Sequence, residues 1–124
     1  MERASALVLC LYLLIVHSPI CMCENPEGVA LFAFKDKLSD PNGMLNGWNS
    51  DNDLCLWPHI TCDSSNLVYS IDLGNSGLSG PLVSNLGVLT NLQKLHLFEN
   101  KIYGTIPEEL GNLKKLVSLW VKLL

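Results

Sequence analysis

The side chains whose chemistry has to be settled first are three histidines, five cysteines and a Glu108-Glu109 pair. Cys55, His59 and Cys62 are all metal-ligand types and fall within one short run. A closed tetrahedral site needs four ligands and no fourth is at hand, so no metal is expected. Hydrolytic chemistry would need a nucleophile, a base and an orienting group brought together. His17, His59 and His96 fall in three separate stretches, and Glu108-Glu109 sits where a solvated turn is expected. No catalytic residue and no cofactor is expected. The formal net charge of -4 provides no basic patch for phosphates and excludes a nucleic-acid partner, and the Lys114-Lys115 pair reads as solvated surface.

The first 23 residues read as a secretory signal. Arg3 supplies the positive start, Ala4 to Val16 is an uncharged apolar run, and His17, Ser18 and Pro19 break it before Cys21-Met22-Cys23. The run is shorter than the ~20 residues that span a bilayer, and no later run is long enough, so no membrane span is expected once the signal is cut. Cleavage near Cys23 removes Cys10, Cys21 and Cys23. Cys55 and Cys62 remain, an even pair for a disulfide in an oxidising compartment. No Asn-x-Ser/Thr sequon occurs, so no N-glycosylation is expected.

The elements that position these residues are set by a repeat. Leu92, Leu95, Leu97, Asn100, Ile102, Gly104, Ile106, Pro107, Leu110 and Leu113 form an apolar template. The same skeleton lies 24 residues earlier at Val68, Ile71, Leu73, Ser76, Leu78, Gly80, Leu82, Val83, Leu86 and Leu89. It restarts at Leu116, Leu119 and Val121. A fixed period of this length with apolar residues at constant offsets is the pattern of a leucine-rich repeat. Leu95 and Leu97 then enter the core, while Lys94, His96 and Phe98 face out on the concave side. Asn100 turns the chain out of its strand with its amide bonded to backbone, and Ser76 makes the equivalent position weaker. Gly80 and Gly104 supply backbone freedom, and Pro107 fixes the return path.

Ahead of the repeats, Asn25-Pro26-Glu27 is a helix start, and Ala30, Leu31, Phe34 and Leu38 recur on one face, predicting a helix over 26–38. Ser39-Asp40-Pro41-Asn42-Gly43 ends it. Leu45, Trp48 and the Cys55 to Cys62 loop around Trp57 suit a cap over the open end of a solenoid. The fold expected is an α/β repeat solenoid: a short right-handed leucine-rich-repeat coil with parallel strands on its concave face and a helical, disulfide-closed N-terminal cap. The expected division is 1–23 signal peptide, 24–66 cap, and 67–124 two complete repeats with a truncated third. The last coil leaves Leu116, Leu119, Val121, Leu123 and Leu124 partly uncovered, an apolar edge that could serve self-association.

The runs Asn25-Pro26-Glu27-Gly28, Asp40-Pro41-Asn42, Leu45-x-x-Trp48, Cys55-x-Trp57-x-His59-x-Thr61-Cys62, Asp72 to Gly80 and Gly104 to Leu113 together resemble plant leucine-rich-repeat proteins. The resemblance is to the N-terminal cap and first repeats of somatic embryogenesis receptor-like kinases and the short secreted proteins related to them. It implies an extracellular recognition module in the apoplast or cell wall, acting in signalling or defence. Its partner would be a receptor-like kinase ectodomain or a peptide ligand. The family's receptor kinases dock through the cap and the concave strand face. At the matching positions this chain has Pro58 for an aromatic residue, keeps a histidine at His59, and has Lys94 and Phe98 for tyrosines. The partner-binding residues expected on this basis are His59, Asp72, Lys94, His96, Phe98 and Trp120. Alternatives are a truncated, non-functional fragment or splice form of a receptor-like kinase, and an inhibitor of cell-wall enzymes.

Overall fold

Asn25 caps the first helix by accepting the Glu27 N–H at 2.9 Å, and Pro26 at the first position has no N–H to leave unpaired. In the computed structural model, which describes residues 24–124, this helix, α1, runs Pro26–Lys37. It stops one residue short of the expected Leu38, which turns extended and leads Ser39 into paired backbone hydrogen bonds with Ser79. The signal peptide, its cleavage near Cys23, and Cys10, Cys21 and Cys23 lie outside the described residues.

Beyond α1 come six short strands, with 3-10 turns ahead of the first, between the third and fourth and between the fifth and sixth: β1 (Ile60–Cys62), β2 (Val68–Asp72), β3 (Ser79–Pro81), β4 (Lys94–His96), β5 (Lys101–Tyr103) and β6 (Ser118–Trp120). One sheet has the order β1-β2-β4-β6. Its first pair is antiparallel, and the β2-β4 and β4-β6 pairs are parallel. Each parallel crossover returns through a 3-10 turn, at Ser84–Val88 or Glu108–Asn112, which gives the coil. A second, two-stranded parallel sheet of β3 and β5 lines another side of the coil. The repeat pattern does not announce that sheet.

The core follows the template. Val68, Ile71, Leu73, Leu78, Leu86, Leu89, Leu92, Leu95, Leu97 and Ile102 are buried, and Leu110 and Leu113 close the next coil. Alternation along each strand sends these inward and their neighbours out. Asn100 occupies its expected role. Its Oδ1 accepts the Ser76 and Leu78 N–H groups, both at 3.0 Å, and its Nδ2 donates to the carbonyls of Leu73, Leu97 and Phe98. Ser76 has no amide to repeat this, and its hydroxyl reaches only the Gly74 carbonyl at 3.2 Å. Gly80 has φ +145°, and a Cβ there would meet the Lys37 carbonyl at 2.6 Å, so the end of α1 packs against bare backbone.

The cap is built on aromatic rings. Trp48 is fully buried and donates its indole N–H to the Pro58 carbonyl at 2.8 Å. Trp57 stacks on it at 5.7 Å, meets Phe32 at 5.0 Å and donates to the Asn49 carbonyl. Cys55 and Cys62 form the disulfide that closes this loop. Buried indoles need a partner for the N–H, and both have one. Glu27, on the first turn of α1, is buried and its Oε1 accepts the Val68 N–H at 2.8 Å. Among the described residues no helix is long and apolar enough to cross a membrane.

Candidate protein-interaction surface

The four-stranded sheet turns one face to the core and leaves the other open. Register decides what the open face shows. Asp72 lies opposite His96, and His96 opposite Trp120. The His59 carbonyl accepts the Asp72 N–H at 3.0 Å, so His59 extends the same row across β1. Four of the six residues expected to bind a partner therefore form one line perpendicular to the strands. A parallel row of Ser70, Lys94 and Ser118 runs beside it. His59 is exposed in a left-handed conformation, φ 71°, just ahead of β1.

Aromatic rings gather at one end of these rows. His96 stacks on Trp120 with centroids 5.1 Å apart and planes 25° from parallel. Phe98 meets Trp120 edge-on at 5.7 Å and His96 at 6.4 Å. Offset and edge-to-face arrangements at such distances suit the ring quadrupoles. The Phe98 ring lies against Gly74, where a Cβ would fall 2.2 Å from its tip. Trp120 remains 58% exposed, so the cluster presents apolar area to solvent rather than closing on itself.

Polar contacts fix the remaining side chains. His96 Nε2 lies 2.7 Å from Ser118 Oγ, and Lys94 Nζ sits 5.7 Å from the Tyr69 ring centroid, within cation–π range. Ser118, Tyr69 and Gly74 were not among the residues expected. The repeat period places Ser118 in line with Lys94, and that was the available signal for it. Tyr69 comes into reach through local strand geometry that has no sequence signature.

Cys55 and Cys62 bond each other, and Glu108 and Glu109 are exposed on their 3-10 turn. Among the described residues no three His, Cys, Asp or Glu side chains gather to hold a metal ion. A separate cleft of about 310 Å³ lies in the cap, with Val29, Phe32, Leu54 and Trp57 among its lining and Glu24 and Asp53 as its carboxylates. The arrangement on the concave face offers stacking, a carboxylate, an ammonium and a hydroxyl. It suits binding.

Comparison with known proteins agrees with this geometry. The leucine rich repeat N-terminal domain family matches residues 24–63, and the leucine rich repeat family matches residues 91–113. The rice (Oryza sativa subsp. indica) leucine-rich repeat protein 1 is 53% identical over 76 residues, which cover 60% of this chain and 36% of the rice protein. The chain thus spans about a third of the length of the curated relatives it matches. Among solved structures, the BIR2 ectodomain from Arabidopsis thaliana is 35% identical with a TM-score of 0.72, covering 81% of this chain and 57% of that one. The Arabidopsis receptor kinase HAESA in complex with the peptide hormone IDA and the co-receptor SERK1 matches at 31% identity and a TM-score of 0.62, over 77% of this chain and 21% of that one.

Cap, strand register and asparagine contacts define a leucine-rich-repeat solenoid, the fold to which both matching family models point. Its architecture is similar to that of plant receptor ectodomains such as that of BIR2.

Proposed function

We propose that this chain is a secreted interaction module that modulates cell-surface signalling or defence by binding a receptor-like kinase ectodomain or a peptide ligand, with no chemistry of its own. Residues 24–66 act as its cap and 67–124 as its repeats, behind a signal peptide over 1–23. The observation that carries this reading is the in-register row of His59, Asp72, His96 and Trp120 on an open sheet face. The HAESA complex, which unites a receptor kinase with a peptide hormone and a co-receptor, supports it as a precedent on a similar fold. Aromatic side chains in a partly desolvated cluster are the usual anchors of such interfaces.

The test is affinity capture from apoplastic fluid with the wild-type chain and with a His96→Ala, Phe98→Ala, Trp120→Ala triple variant. Recovery of a receptor ectodomain or peptide by the wild type and its loss with the triple variant is expected. Equal recovery by both would remove the concave face from the account. A second reading is a second copy docking on Val117, Trp120 and Leu124, which are 74%, 58% and 70% exposed. A monomeric mass by light scattering at micromolar concentration contradicts it.

A further inference from the structure

We infer that Asn46 is a self-modifying site in the cap, where the backbone nitrogen of Gly47 closes on the asparagine side chain and leaves aspartate or isoaspartate behind. Asparagine followed by glycine occurs twice in the chain, at Asn42-Gly43 and Asn46-Gly47, and every other asparagine precedes a residue that carries a Cβ. The successor matters because its nitrogen is the attacking atom, and only glycine leaves that approach uncrowded. The fold then separates the two pairs. Asn42 has both reacting groups engaged: its Nδ2 donates to the Ser76 carbonyl at 3.4 Å, and the Gly43 N–H donates to the Asp40 carbonyl at 3.1 Å. Asn46 is exposed on a turn, with its amide resting over Gly43, where a Cβ would fall 2.6 Å from Nδ2. The turn bonds run from Asn46 N–H to the Gly43 carbonyl and from Trp48 N–H to the Leu45 carbonyl, and they skip Gly47 between them. Among the described residues no hydrogen bond holds the Asn46 amide or the Gly47 N–H.

The reaction needs water and nothing else. Gly47 N gives up its proton and bonds to Asn46 Cγ, the Cγ–Nδ2 bond breaks, and Nδ2 leaves as ammonia with that proton. The product is a five-membered succinimide. Water then adds to one of its two carbonyls. Opening the bond between Gly47 N and Cγ gives aspartate. Opening the bond between Gly47 N and the Asn46 main-chain carbonyl carbon gives isoaspartate, in which the backbone runs through the former side chain. Both routes exchange a neutral amide for a carboxylate.

The position of the pair gives the second product a structural effect. A Cβ on Gly47 would meet the Pro58 ring at 2.8 Å, so the Gly47 backbone lies directly against Pro58. Trp48, the next residue, is fully buried, donates its indole N–H to the Pro58 carbonyl at 2.8 Å, and accepts Lys35 Nζ at its own carbonyl, also at 2.8 Å. A backbone one carbon longer between residues 46 and 47 has no free space to enter and must displace Pro58 or Trp48. Pro58 leads into His59, so the displacement reaches the end of the concave row. Isoaspartate therefore loosens the cap, whereas aspartate keeps the chain length and leaves it intact.

The experiment ages the full chain at pH 8, folded and, in parallel, reduced and unfolded in urea, and follows each asparagine by peptide mapping and tandem mass spectrometry. Exchange of NH2 for OH adds about one dalton. In the unfolded chain the two pairs are expected to convert at similar rates. In the folded chain Asn46 should convert about fivefold faster than Asn42, because hydrogen bonds at Asn42 and Gly43 must open before each attempt. Asn46→Gln keeps an amide but lengthens the ring that must close, and should abolish conversion at this position. The isoaspartate fraction, separated chromatographically, should unfold at lower urea than Asn46→Asp, which has the same charge on an unaltered backbone. Equal conversion of Asn42 and Asn46 in the folded chain, or suppression of both by folding, overturns the site. An isoaspartate fraction with the urea midpoint of Asn46→Asp overturns its effect on the cap.

Discussion

Glu27 Oε1 accepts the Val68 N–H at 2.8 Å, a buried bond that ties the first turn of α1 to the start of β2 across 41 residues. Glu27 is nearly inaccessible, so the bond replaces water for both groups. Replacing the side chain by alanine leaves the Val68 N–H without a partner, a loss of about 2 kcal/mol. Glu27→Gln keeps an acceptor oxygen at the same place and should cost less. Urea denaturation of the three proteins ranks them; equal midpoints for Glu27→Ala and wild type would remove the bond from the stability of the cap.

The same carboxyl gives stability a dependence on pH. Burial raises the Glu27 carboxyl above its ordinary 4.5, the Val68 bond pulls it back, and the nearby Asp63 charge adds to the rise. A carboxyl raised in the folded state binds its proton more tightly there than in the unfolded chain. Its contribution is complete below pH 4.5 and is lost as pH climbs through the folded-state value. Asp63 has the opposite sign. The Asn91 amide first, and then the Leu67 and Ser65 N–H groups, hold it below its ordinary 3.8, so its contribution is present above 3.8 and lost as pH falls. Thermal unfolding between pH 3 and 7 should therefore show a maximum near the ordinary carboxyl range. Glu27→Gln should flatten the limb above it, and Asp63→Asn the limb below.

Asn100 bonds five backbone groups of two coils, so no neighbour can replace it. Asn100→Ala leaves the Ser76 and Leu78 N–H groups and the Leu73 carbonyl to find other partners, and is expected to cost about 3 kcal/mol. Asn100→Asp keeps the two acceptor contacts and loses the three donations, so it should fall between. Chemical denaturation checks both, and a cost below that of an ordinary surface substitution would contradict the ladder.

The features with a period were legible in the sequence. Leu92, Leu95 and Leu97 recur at fixed offsets because strand alternation and coil length leave no other arrangement of an apolar interior. The cap helix was legible from Asn25 and Pro26, whose roles are local. What escaped depends on a single distant contact. Glu27 reads as an ordinary first-turn acid, and only the fold brings Val68 to it. The β3-β5 sheet escaped because Ser79–Pro81 and Lys101–Tyr103 lack a strand pattern and pair only because stacked coils bring them together. On the concave face the register of Asp72, His96 and Trp120 followed from the repeat, whereas the stacking of His96 on Trp120 depends on rotamers that spacing leaves open.

The Cys55–Cys62 bridge closes a loop with a sequence separation of 7, and loop-closure entropy for so short a loop amounts to about 2 kcal/mol. Cys55→Ser with Cys62→Ser should lower stability by that amount and leave the Trp48–Trp57 stack formed, because both indole N–H groups bond to backbone carbonyls. Near-UV circular dichroism reports the stack, and denaturation the stability. Loss of the tryptophan signal under native conditions would show that the bridge, and not ring packing, holds the cap.

Gly74 and Phe98 offer a test of how the concave face is built. An added Cβ at Gly74 would fall 2.2–2.6 Å from the Phe98 ring, so Gly74→Ala must turn the ring away. Phe98 is only half-buried and can swing toward solvent, which keeps the stability cost near about 1 kcal/mol. The ring's contacts to His96 and Trp120 are lost with it, so partner affinity should fall by more than stability does. In a Phe98→Ala background the clash has no target, and adding Gly74→Ala should change little. A double-mutant cycle measures this coupling directly. Additive effects on binding would mean that Phe98 reaches a partner without leaning on Gly74, and that the aromatic cluster is assembled by the ligand rather than by the fold.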